Sequence, residues 1–65
     1  MIKIIIGPTI GDTEVKLDLL NTDAENLRNL TTGDRIYLDS LRHLLVLYKA
    51  YSLQNHTLYI FTKEY

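Results

Sequence analysis

Asp39, Ser40 and His43 are residue types that serve elsewhere as orienter, nucleophile and base, and they fall close together near the middle of the chain. Acyl transfer needs such groups within hydrogen-bond reach and inside a pocket that excludes water. A chain of 65 residues has little room for that pocket. A simpler role fits the spacing: Ser40 or Asp39 caps a helix, with Asp39 one turn from His43. No enzyme is expected.

A second stretch with chemical promise is KIIIGPTIGDT, Lys3 to Thr13, an apolar run followed by glycines and a hydroxyl residue. A phosphate loop reads G-x-x-x-x-G-K-[ST], with amides cradling phosphate, lysine neutralising it and the hydroxyl holding magnesium. Here the glycines are one residue too close, and Asp12 stands where the lysine belongs. Glu14 to Leu19 alternates as a strand, whereas the motif needs a helix N-terminus aimed at the phosphate. The segment therefore reads as a hairpin loop, with no nucleotide and no cofactor. Metal binding would have to use His43 and His56, whose spacing matches no ligand motif, and the chain has no cysteine. No metal site is expected.

Nucleic acid is a stronger candidate. Arg42, His43, Lys49, His56 and Lys63 interleave with Tyr48, Tyr51, Tyr59, Phe61 and Tyr65 in the C-terminal half. Bases stack on aromatic rings while cations meet phosphates, so Arg42, Lys49, Tyr59 and Lys63 form a candidate single-strand site. Against it, the net charge is −1, and the tyrosines serve equally well as core. Residues 1–39 hold seven acids and four bases, residues 40–65 three bases and one acid. That asymmetry is too mild to imply binding to bulk nucleic acid.

The elements that position these residues come from periodicity. Ile2, Ile4 and Ile6 alternate with Lys3 and Ile5, and Val15, Leu17 and Leu19 with Glu14, Lys16 and Asp18, which predicts two strands. The turn formers between them make an antiparallel hairpin. Thr22-Asp23-Ala24-Glu25 matches a capping box and starts a short helix over roughly residues 23–30, ended at Gly33. Ile36 and Leu38 mark a further strand, and Thr57 to Thr62 the last. Between them, Leu41, Leu44, Leu45, Tyr48 and Tyr51 form an i, i+3, i+4, i+7 stripe, so residues 40–54 are read as a longer helix. As a strand, Leu44, Val46, Tyr48 and Ala50 would share a face, with Leu45, Leu47 and Tyr51 spoiling the alternation.

The expected architecture is α+β: an antiparallel sheet of about four strands with one short and one longer helix on one face. The alternative is an all-β, five-stranded, SH3-like small barrel, for which TTGDRIYLD would be a typical opening. Residues 1–65 read as one domain. A core this small usually needs a staple, and without cysteine the remaining choices are oligomerisation or docking.

Within the expected fold, Val46, Leu47 and Leu53 lie off the helix stripe, and Tyr59 and Phe61 face away from Leu58 and Ile60. These five residues form the candidate protein interface, because one sheet–helix core cannot cover them all. The function expected is a non-enzymatic interaction module, an inhibitor, adaptor or accessory subunit. It would form a homodimer or dock on a larger protein. Small free-standing chains of this type are commonly encoded by viruses and mobile elements, which makes such an origin part of the expectation. The longest apolar run, Leu44 to Tyr48, is far short of the ~20 residues that span a bilayer, and no export signal is visible. A soluble protein of the cytoplasm, that of the host if viral, is expected, with no membrane partner.

Overall fold

The computed structural model describes residues 1–65. The isoleucine run forms strand β1 (Ile2–Ile6), and a hairpin leads into β2 (Thr13–Val15). An extended segment and helix α1 (Asn21–Arg28) follow, then β3 (Arg35–Tyr37), β4 (His43–Ser52) and β5 (Thr57–Glu64). All five strands belong to one sheet in the order β2-β1-β5-β4-β3. The pairs β1–β2, β3–β4 and β4–β5 are antiparallel. β1 and β5 run parallel, with Ile4 beside Ile60 and Ile5 beside Phe61.

This overturns the α+β expectation. The molecule is close to all-β, with one short helix. It is not an SH3-like barrel either, because β2 and β3 end the sheet as separate edges and the central pair is parallel. Residues 40–54 hold no helix. β4 occupies 43–52, and a β-bulge between Val46 and Tyr48 interrupts its register with β5. Before the bulge Leu44 and Val46 point to the helix side; after it Tyr48 and Ala50 point to the other side. One inserted residue breaks strand alternation and leaves a pattern that mimics a helix stripe.

Both sides of the sheet carry core. On the helix side Ile4, Leu44, Val46 and Ile60 pack with Leu27 of α1, edged by Ile2, Val15, Ile36 and Leu58. On the opposite, open side Ile5, Tyr59 and Phe61 make a second cluster. Tyr48 stacks on Phe61 with ring centroids 4.6 Å apart, and its hydroxyl donates to the Pro8 carbonyl. The 7–12 loop thus closes over the end of this cluster. β5, covered on both sides, is an almost continuous buried run, as strands with a parallel neighbour usually are.

Four aspartates each fix a turn or the helix start. In Thr9-Ile10-Gly11-Asp12 the Asp12 carboxylate accepts the Thr9 amide and hydroxyl, both at 2.9 Å. Thr31-Thr32-Gly33-Asp34 repeats the arrangement, at 2.7 and 3.2 Å. Each turn closes with an amide donated from the aspartate back to the threonine carbonyl at 3.0 Å. Asp23 accepts the Leu20 amide at 2.9 Å, so α1 starts with Leu20 as its cap rather than with the Thr22–Glu25 box. The acid nearer the first free amides takes the role, and the helix begins two residues earlier than its spacing predicts.

Asp39 sets the remaining turn. Its Oδ1 accepts the amides of Leu41 at 2.7 Å and Arg42 at 2.9 Å. Those two amides, helped by the charges of Arg42 and His43, hold the carboxyl below its ordinary value of 3.8. A carboxylate with a lowered folded-state pKa stabilises the fold above its unfolded pKa, and that gain fades as pH falls through the folded value. Asp39→Ala is therefore expected to melt below the parent by a constant margin above about pH 5, the margin narrowing below about pH 4. Thermal melts at a series of pH values check this. A margin independent of pH down to pH 2.5 would contradict it.

Candidate interaction surface

The five residues expected to form an interface do not share a surface. Val46 is 1% exposed, Tyr59 5% and Phe61 3%. Their burial is within the chain: Val46 belongs to the helix-side core, Tyr59 and Phe61 to the open-side cluster. Those three are buried because each side of the sheet carries its own core cluster. Leu47, in the bulge, is half-buried, and its carbonyl accepts the Thr32 hydroxyl at 3.0 Å. Leu53 is 78% exposed, in the turn that joins β4 to β5.

The nucleic-acid candidates are also dispersed. The Arg42 guanidinium pairs with Glu64 at 3.2 Å. Lys49 lies on the helix side and donates to the Arg28 carbonyl at 2.6 Å, capping the negative end of α1. Tyr59 is buried and its hydroxyl accepts from Asn55. Lys63 alone stands exposed on the open side.

The fold assembles a different group there. Arg35, Leu45 and Lys63 form one row across β3, β4 and β5. Tyr37 stacks on His43 at 4.3 Å, Tyr65 lies 5.9 Å from the same imidazole, and the Arg35 guanidinium sits 5.2 Å over the Tyr65 ring. Arg35 and Tyr37 precede the basic half of the sequence, and only cross-strand register joins them to Lys63. Asp39 Oδ1 accepts the turn amides of Leu41 and Arg42, and the His43 ring stacks on Tyr37. His56 lies in the β4–β5 turn, in the left-handed region at φ 53°.

Two further surfaces are apolar. On the helix side a cleft of about 260 Å³ opens between α1 and the strands, lined by Ile4, Leu17, Leu19, Leu27, Ile36 and Leu38. The other is the β4–β5 hairpin beyond the reach of β3. β3 pairs with β4 only from His43 to Leu45, and the Gly33 and Asp34 backbone extends this to Val46. From Lys49 to Ser52 the outer edge of β4 has no strand beside it. Tyr48, Tyr51 and Leu53 stand exposed along this projecting piece. Compared with known protein families, curated proteins and solved structures, the chain matches none.

This hairpin offers free backbone donors and acceptors, two exposed tyrosines and an exposed leucine, with no ionised group on its open side. Aromatic side chains of this kind give contact area at low entropic cost. No His, Asp and Glu side chains converge here or elsewhere in a set of three that could hold a metal. No helix is long and apolar enough to cross a membrane.

Proposed function

We propose that the chain is a non-enzymatic protein-interaction module, an inhibitor, adaptor or accessory subunit, that self-associates through the β4–β5 hairpin. The observation that carries this reading is the unpaired outer edge of β4, flanked by exposed Tyr48, Tyr51 and Leu53.

Leu53→Asp tests the reading. The side chain is exposed in the single chain, so the charge leaves the fold intact while disfavouring an apolar contact. Dimer dissociation is expected to rise by about tenfold or more, equivalent to roughly 1.4 kcal/mol, when followed by sedimentation. An unchanged dissociation constant contradicts a role for the hairpin tip.

A second reading, a binder of single-stranded nucleic acid, is favoured by one observation: Arg35 and Lys63 flank exposed Tyr37 and Tyr65 on the open side. It predicts oligonucleotide retention that weakens with salt and is lost in Lys63→Glu. No retention at low salt removes it.

A further inference from the structure

We propose that two copies pair through β4, antiparallel, about a twofold axis that passes beside Ala50. This rests on the self-association reading above and names its geometry.

Gly7 donates to the Thr62 carbonyl, and Leu58 donates to the Met1 carbonyl. Even-numbered residues of β5 therefore turn their backbone toward β1, and odd-numbered ones toward β4. Phe61, Tyr59 and Thr57 face Tyr48, Ala50 and Ser52 in the register. Those three β4 residues spend their amides and carbonyls on β5. Lys49 and Tyr51 must then point theirs outward, where no strand lies. The Leu47 carbonyl, next along the edge, is already taken by the Thr32 hydroxyl. The free edge is thus short and sharply bounded.

Natural edges are commonly guarded by a lysine reaching out from the strand, by shortness, or by a covering loop. β2, the other edge of this sheet, is three residues long, and its Glu14 carries ion pairs to Lys3 and Lys16. The lysine on β4 gives no such protection. Lys49 is folded back onto the end of α1, its ammonium held by the Arg28 carbonyl. The edge is open and its natural guard is engaged elsewhere.

Hydrogen-bonded pairing between outward residues allows three centred registers. Lys49 opposite Lys49 sets Tyr51 against Leu47, whose carbonyl is already taken by the Thr32 hydroxyl. Tyr51 opposite Tyr51 sets Lys49 against Leu53. The remaining register sets Lys49 of each copy opposite Tyr51 of the other, both on the helix side, so each lysine stem lies along a tyrosine ring. On the open side Ala50 meets Ala50, the smallest contact in the segment, with Tyr48 opposite Ser52. Leu47 then falls opposite Leu53, the two members of the expected interface that are not buried. One register thus satisfies the free backbone groups and joins the leftover leucines. The two sheets become one, continuous through the axis.

The absence of cysteine makes the test clean. In this register the two Ala50 residues are a non-hydrogen-bonded pair, whose Cα separation of about 4.5 Å falls within disulfide range. Ala50→Cys, full chain, is exposed to mild oxidant at micromolar concentration alongside Ser52→Cys. Ser52 shares the side but faces Tyr48 of the second copy. Ala50→Cys is expected to form a covalent dimer at least about tenfold faster, because its thiols are held together rather than meeting by collision. Equal rates overturn the register. If the parent chain is a dimer and Ala50→Cys still fails to cross-link preferentially, this geometry falls while self-association stands. If the parent is a monomer throughout, both fall.

Discussion

Phe61→Ala is expected to destabilise the fold by about 3–5 kcal/mol. Phe61 lies at the centre of the open side, between Tyr48 at 4.6 Å and Tyr59 at 6.1 Å, with Ile5 beside it in the register. It is 3% exposed without any helix above it. Its removal leaves a cavity under a single layer of rings and a loop, and large-to-small aromatic truncations cost about 3–5 kcal/mol. Total stability at this chain length is roughly 3–10 kcal/mol, so one side chain represents much of the whole. Urea denaturation followed by circular dichroism, at fixed protein concentration, measures the loss. A loss below about 1 kcal/mol would show that the open side is not core and that Tyr59 and Phe61 are available to partners.

Gly7→Ala is the second large effect. Gly7 has φ 136°, and a Cβ built there would lie 2.5 Å from the Asp12 side chain. Asp12 cannot simply swing away, because its carboxylate holds the Thr9 amide and hydroxyl. Backbone strain of about 1–2 kcal/mol adds to two hydrogen bonds of about 1 kcal/mol each, a loss of about 3 kcal/mol. Gly33→Ala is the informative comparison. Gly33 also has positive φ, at 93°, but nothing stands within 4 Å of its would-be Cβ. It should lose only the strain. Equal losses for the two alanines would contradict the role given to Asp12.

How far the residues reveal this fold differs from element to element. The start of the β1–β2 hairpin is legible because Ile4 and Val15 sit opposite each other on a one-sided pattern closed by Gly, Pro and Asp, but β2 stops at Val15, and Leu17 and Leu19, whose alternation predicts strand, lie exposed beyond it. The last strand is legible from its β-formers. Alternation says which way a side chain points and not which strand lies beside it, so the parallel pairing of β1 with β5, across the whole intervening chain, leaves no local trace. β4 is misread because its bulge shifts the pattern at Leu47, and because both sides are covered, so apolar residues of either parity are useful. The repeated Thr-x-Gly-Asp turns are present in the sequence as a pair and could have placed both loops. Of the expected interface, Leu53 is left open and Val46, Tyr59 and Phe61 are absorbed, for the same two-sided reason. The surplus of apolar side chains is real but sits elsewhere, at the hairpin and beside the cleft around Leu17 and Leu19.

The most direct test of self-association is the solution mass of the unmodified chain, by sedimentation equilibrium from micromolar to millimolar concentration. The mass is expected to rise with concentration toward twice the 7.6 kDa of one chain. A mass fixed at one chain up to the highest concentration would contradict it.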